Sequence, residues 1–156
     1  MVRQVHRVLL GTQWLCRGGM LKKLLITGSR SHPDGGRVRD YLLNKILTRY
    51  DEILLIEGDC PHPRTYPLYQ SVDWIGQEVW MERYGDRWSD YISIHPPKRD
   101  KKGKATPGDF AIRNQEMVDL LPDLVLAFPY GESKGTRMTI GMAQKKNLNV
   151  HVVEWS

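Results

Sequence analysis

Residues 124–136 have the sequence LVLAFPYGESKGT, in which five apolar residues lead into a glycine-rich turn and then into a helical pattern. A strand that is apolar on both faces is typical of a parallel sheet covered by helices on each side. Four more short apolar runs, at residues 23–27, 53–57, 91–94 and 150–154, alternate with helix-period segments. The pattern predicts an α/β fold: a Rossmann-like three-layer sandwich of about five mainly parallel strands with helices on both faces.

Apolar stripes at helical spacing separate the predicted strands, and each stripe predicts a helix that packs on the sheet. The last helix is expected to end near Asn147, because the basic residues before it suit the C-terminal end of a helix dipole. We expect the residues of the four stripes to lie in the core. They are Val38, Leu42 and Ile46; Val72, Ile75, Val79 and Trp80; Phe110, Met117, Val118 and Leu121; and Ile140 and Ala143.

The length and composition fit a single soluble domain. The chain has 156 residues, 40% of them hydrophobic and 26% charged, and no apolar run approaches the roughly 18 residues that cross a bilayer. Met20 begins the run that leads into the first strand, so we expect residues 1–19 to be an extension outside a domain of residues 20–156. Two cysteines are too few for a disulfide framework. We therefore expect a cytoplasmic protein without a membrane partner, and leave open whether it forms homo-oligomers.

Positive charge is concentrated in two short segments. The formal net charge is +5, of which residues 1–19 carry +3 because they contain three arginines and no acidic residue. Residues 98–104 contain five basic residues and one acidic residue, a local +4, so the rest of the chain is close to −2. A broadly basic DNA-binding face is therefore not supported.

The turns that follow the predicted strands contain glycine or arginine, and ligands of parallel sheets bind beyond the carboxyl ends of the strands. Glycine lets backbone N–H groups approach an anion, and a helix amino terminus adds positive potential. The turn before the last helix, with Gly131, Ser133, Gly135 and Thr136, suits a phosphate, although it lacks the ending of a Walker A loop. The alternative is a plain turn with a helix cap.

Four motifs follow one another in the same order as in a known family. They are LLITGSR at residues 24–30, IRNQEM at 112–117, DLVLAFPYGESKGT at 123–136 and NVHVVE at 149–154. Over residues 20–154 the chain resembles the YspA-like, cpYpsA-related branch of the SLOG superfamily. This superfamily of Rossmann-like proteins also contains the DprA/Smf recombination mediators and the LOG phosphoribohydrolases. The resemblance implies binding of a nucleotide or nucleotide-derived ligand and leaves open whether this branch is catalytic.

The resemblance also implies which residues hold the ligand. The helix-opening aspartate of the family falls on Asp73, although residues 60–70 lengthen the turn before it and contain three prolines, which favours a shaped loop able to close over the site. Thr139 stands where the LOG enzymes have a glutamate, so that catalytic carboxylate is missing. The ligand-binding positions are Gly28, Ser29, Arg30, Gly58, Arg113, Asn114, Gly131, Ser133, Gly135 and Thr136.

Three functions stay open on these residues. The first is binding of a nucleotide-derived ligand, for example as a sensor, with Arg30 and Arg113 forking onto phosphate oxygens. The second is an N-glycosidase of the phosphoribohydrolase kind, with Asp73 as the candidate catalytic carboxylate. The third is DprA-like binding of single-stranded DNA through residues 98–104. No metal site and no cofactor are predicted, because the histidines and cysteines lack the spacing of metal ligands.

Overall fold

The structure, a computed structural model that describes residues 22–155, confirms the predicted alternation of strands and helices. The predicted extension, residues 1–19, lies outside the described residues. The strands are β1 (Lys23–Gly28), β2 (Leu54–Glu57), β3 (Ile92–Ile94), β4 (Leu124–Phe128) and β5 (Val150–Val152). The helices are α1 (Gly35–Tyr41), α2 (Val72–Tyr84), α3 (Pro107–Asp119) and α4 (Lys134–Lys145). A π-helical segment (Leu42–Leu47) continues α1, and a 3-10 segment (Gly85–Tyr91) continues α2.

The five strands form one parallel sheet in the order β3-β2-β1-β4-β5. In the centre of this sheet, Leu24 of β1 lies between Leu55 of β2 and Leu124 of β4. The chain moves from β1 to β2 on one side and later returns to β4 on the other side. β1 and β4 therefore mark the switch point of the sheet, where ligands bind beyond the carboxyl ends of the strands.

Alternate residues of β1 enter two separate cores. Leu24 and Ile26 belong to a core that α1 and α2 complete, with Trp80 as its largest fully buried side chain. Leu25 points to the opposite face, where α3 and α4 supply residues such as Val118. Helices thus cover both faces of the sheet, and the fold is the predicted Rossmann-like α/β sandwich.

The structure also corrects some details of the prediction. β5 ends at Val152 rather than at residue 154, and β3 begins at Ile92 because Tyr91 still belongs to the 3-10 segment. The prediction that Leu121 lies in the core is wrong: α3 ends at Asp119, and Leu121 is 57% exposed with a φ of 53°. Within residues 22–155, no helix has the length and apolar character needed to span a membrane.

Candidate functional site

A cleft of about 420 Å³ opens at the carboxyl ends of β1 and β4, the place that the strand order predicts. This volume falls within the range of about 300–1,000 Å³ that is typical of small-molecule sites. Of the ligand-binding positions predicted from the sequence, Gly58 and Gly131 do not line the cleft. The predicted residues that do are Gly28, Ser29, Arg30, Asp73, Arg113, Asn114, Ser133, Gly135 and Thr136.

The first turn of α4 presents backbone amides that no side chain caps. Ser133 occupies the N-cap position in a left-handed conformation, and its Oγ accepts a hydrogen bond from Tyr130 N and donates one to Tyr130 O instead of capping the helix. The left-handed φ of Gly131, 65°, permits the tight turn before it. A Cβ on Gly135 would meet no atom within 4 Å, so the space over this turn is open. The helix end can therefore take an anion.

The turn after β1 is held by hydrogen bonds within the protein. Ser29 N donates to Phe128 O at 3.1 Å, Val72 N donates to Ser29 O at 3.1 Å, and Ser31 N donates to Ser29 Oγ at 3.0 Å. A Cβ on Gly28 would lie 2.5 Å from a methyl carbon of Val72 and 2.8 Å from Phe128 O. Gly28 is therefore required for close packing, and the amides of Ser29 and Ser31 are not free for an anion.

Arg113 is 6% exposed and joins the ends of two strands to α3. Its Nη1 donates to Gly58 O and, at 3.1 Å, to His95 O, while its Nε donates to Asn114 Oδ1 at 2.8 Å. Gly58 leaves room for this contact, because a Cβ there would lie 2.5 Å from Nη1. Both protons of Nη1 and the proton of Nε are thus engaged, so Nη2 is the nitrogen that can make the predicted phosphate contact, beside the Cys60 thiol that also neighbours this guanidinium.

Phe110, which the apolar stripe predicted to lie in the core, is half-buried and lines the cleft. The Arg30 guanidinium carbon lies 4.6 Å from the centre of the Phe110 ring, and that of Arg113 lies 5.4 Å from it. Within residues 22–155, neither arginine forms an ion pair with a carboxylate. The sequence contained a signal for this contact, because Phe110 and Arg113 are three residues apart and therefore lie on one face of the helix.

Two carboxyl groups are buried at the end of β2 and the start of α2. Asp73 is 7% exposed, lines the cleft and accepts a hydrogen bond from Cys60 N at 3.2 Å. Burial raises its pKa, and the Cys60 N–H and the Arg113 charge oppose that rise. Glu57 is fully buried, and burial, together with the Asp73 charge, raises its pKa to about 8. Because burial likewise raises the pKa of the Cys60 thiol to about 11, this cysteine is a poor nucleophile at neutral pH.

The long turn 60–70 packs beside the cleft rather than over it. His62 accepts a hydrogen bond from Ser71 N through Nδ1 and bonds Glu78 of α2 through Nε2, at 2.7 Å. Gln70 exchanges two backbone hydrogen bonds with His32, in the connection between β1 and α1. Of residues 60–70, only Cys60 lines the cleft, so the expected covering loop is not observed in this structure.

Thr139, which the resemblance predicts to stand where LOG enzymes have a glutamate, does not line the cleft. Thr139 is fully buried, and its Oγ1 donates to Gly135 O at 3.1 Å within α4. The other carboxylate along the cleft wall is Glu132, whose side chain is 82% exposed and pairs with Lys134 at 3.6 Å. The buried Asp73 is therefore the cleft carboxylate most shielded from water.

The basic segment 98–104 forms an ordered turn between β3 and α3. Asp100 accepts hydrogen bonds from Lys102 N and Lys104 N through Oδ1, at 2.8 and 2.9 Å, and the basic side chains are exposed. Binding of single-stranded DNA through this turn stays a prediction. In the described part of the chain, no group of three or more histidine, cysteine, aspartate or glutamate side chains is arranged to hold a metal ion.

Comparisons of this chain with protein-family models, with curated proteins and with solved structures found no match. The resemblance to the YspA-like branch of the SLOG superfamily accordingly stays a prediction from the sequence motifs.

Proposed function

We propose that the cleft binds a nucleotide or a nucleotide-derived ligand and that the protein acts as a binder or sensor of this ligand. The observation that carries the proposal is the uncapped first turn of α4, which faces the same cleft as two arginines without carboxylate partners. Backbone amides at a helix start, together with a hydroxyl group such as that of Thr136, suit a phosphate group.

The electrostatics of the cleft favour a ligand with negative charge. Arg113 is a buried cation that donates hydrogen bonds to two carbonyl oxygens and an amide oxygen. It also interacts with the Asp73 carboxyl and the Cys60 thiol, but within residues 22–155 no carboxylate lies at ion-pair distance from it. Leaving a charge buried without a counter-ion is costly. An anionic group that accepts a hydrogen bond from Nη2 would reduce that cost, and Arg30 adds a second positive charge at the open side.

A substitution at Gly135 tests the phosphate position. Valine at this position would extend into open space, so the fold should persist, while its methyl groups would occupy the volume next to the first-turn amides. Losing one or two charge-assisted hydrogen bonds of about 1.5–3 kcal/mol each corresponds to a loss of affinity of about tenfold or more. We expect Gly135→Val to weaken binding of nucleoside monophosphates and of inorganic phosphate by that amount, measured by isothermal titration calorimetry.

Gly141 supplies the matched control. It lies on the same helix, a Cβ there would also meet no atom within 4 Å, and it does not line the cleft. Gly141→Val should bind as the parent does, and circular dichroism should show both variants folded. If the parent binds and Gly135→Val binds equally well, the phosphate does not lie at α4.

A further inference from the structure

The Arg30 guanidinium lies over the ring of Phe110 on the cleft wall, and we name this stacked pair the Arg30–Phe110 platform. The guanidinium carbon lies 4.6 Å from the ring centre, a distance at which a planar cation stacks on an aromatic face. Arg30 is exposed and Phe110 is half-buried, so the platform borders both the cleft and solvent. Guanidinium planes and aromatic rings are the two surfaces on which proteins commonly stack nucleobases.

The platform and the phosphate position line the same cleft. Arg30 follows β1 and Gly135 follows β4, and these strands are hydrogen-bonded neighbours whose last residues, Gly28 and Phe128, lie opposite each other. Since the amides of Ser29 and Ser31 are engaged within the protein, the exposed Arg30 side chain is the group of this turn that brings positive charge to a ligand. One ligand can therefore place its phosphate at α4 and a second, planar part at the platform.

We propose that the Arg30–Phe110 platform binds the base of the ligand, so that the cleft selects base-bearing nucleotides over sugar phosphates and inorganic phosphate. This inference rests on the proposed function, because it takes the phosphate position at α4 as given. Stacking of a base on such a surface contributes about 1–3 kcal/mol, an affinity gain of about fivefold to a hundredfold.

The test compares ligands with and without a base. AMP, GMP, CMP and UMP are titrated into the protein alongside ribose 5-phosphate and inorganic phosphate, by isothermal titration calorimetry. We expect at least one of the four nucleotides to bind about fivefold or more tightly than ribose 5-phosphate. Phe110→Leu, which keeps an apolar side chain but removes the ring, should reduce this preference to less than about twofold while ribose 5-phosphate binds as before.

A second variant guards against a folding defect in Phe110→Leu. Arg30 is exposed, so Arg30→Gln should leave the melting temperature unchanged and still reduce the preference for the nucleotide. Arg37→Gln is the matched control, since Arg37 also lies over an aromatic ring, 5.5 Å from the centre of Trp155, but outside the cleft. It makes the same change in net charge and should leave all affinities unchanged.

Two results would overturn the inference in distinguishable ways. If ribose 5-phosphate and all four nucleotides bind the parent equally, or if both cleft variants keep the preference, the platform does not hold a base and the phosphate position stands. If neither nucleotides, ribose 5-phosphate nor inorganic phosphate binds at all, the proposed function fails together with the platform.

Discussion

Glu57 makes the stability of the protein depend on pH in a way that one substitution can remove. Its side chain is fully buried at the end of β2, where Oε2 accepts a hydrogen bond from Asp59 N at 2.7 Å and Oε1 accepts one from Gln77 Nε2 at 2.8 Å. Burial is the larger cause that raises its pKa to about 8 from the ordinary 4.5, and the charge of Asp73 is the second. A pKa raised in this direction favours the protonated form of Glu57 in the folded protein at neutral pH.

The direction of the pH dependence follows from this raised pKa. Between pH 4.5 and about 8 the folded state binds more protons at Glu57 than the unfolded state does, so the free energy of unfolding falls as the pH rises through this window. The contribution is complete below pH 4.5 and is lost above about pH 8. At about 1.4 kcal/mol per pKa unit, reduced by relaxation and water entry, the loss over the window is about 2–5 kcal/mol.

Glu57→Gln removes the titrating group but keeps the shape of the side chain. Urea denaturation at pH 5, 6, 7 and 8 gives the free energy of unfolding of the parent and of the variant. We expect the free energy of unfolding of the variant, relative to that of the parent, to increase steadily from pH 5 to pH 8, by about 2–5 kcal/mol in total. Any constant cost of fitting the amide beside Gln77 cancels in this comparison, because it does not change with pH.

The control is Glu82→Gln on α2, whose side chain is 67% exposed. Its stability relative to the parent should not change with pH over the same range. The argument would be refuted if the difference in free energy of unfolding between Glu57→Gln and the parent stayed constant within about 0.5 kcal/mol from pH 5 to 8. The carboxyl group would then be ionised in the folded state, with solvent or a neighbouring group stabilising its charge.

Two further predictions concern packing and chemistry at the same edge of the sheet. Gly28→Ala should lower the free energy of unfolding by about 1–3 kcal/mol, because its Cβ would overlap the Val72 side chain. Gly36→Ala is the control, since the atom nearest to its Cβ would lie 3.6 Å away. It should not destabilise the protein in the same urea titration. Since Thr139 is buried and offers no carboxylate, we expect no release of base from nucleoside monophosphates by chromatography. Turnover that disappears in Asp73→Asn would contradict the binding proposal in favour of an N-glycosidase.

The sheet was predictable because each strand carries its own signature. Parallel strands covered on both faces are continuous apolar runs, and LVLAF at β4 is buried at all five positions. The loops that reach the cleft could be predicted in the same way, because parallel strands all present their carboxyl ends to one edge of the sheet. The errors lie at element ends, as at Leu121, where a helix stops before its apolar pattern does.

The contacts within the site depend on residues far apart in sequence, and no local pattern predicts them. Arg113 is held by the carbonyl groups of Gly58 and His95, at separations of 55 and 18 residues. The sequence gives the type and position of each residue, but these hydrogen bonds exist only once the ends of β2 and β3 lie beside α3. The sequence predicted a bidentate contact of Arg113 with a phosphate. Because the two carbonyl groups occupy Nη1, the contact is now expected through Nη2.

The glycines of the cleft region illustrate the same limit, because one residue type serves three physical purposes there. Gly28 and Gly58 are small because protein atoms occupy the space that a Cβ would need, whereas Gly131 allows a left-handed backbone. Gly135 alone among these four has neither a neighbour within 4 Å of its missing Cβ nor a positive φ. Substitutions at Gly28 or Gly58 would therefore change the fold of the edge before they changed any ligand contact. Loss of binding through Gly135 is the result that reports on the ligand itself.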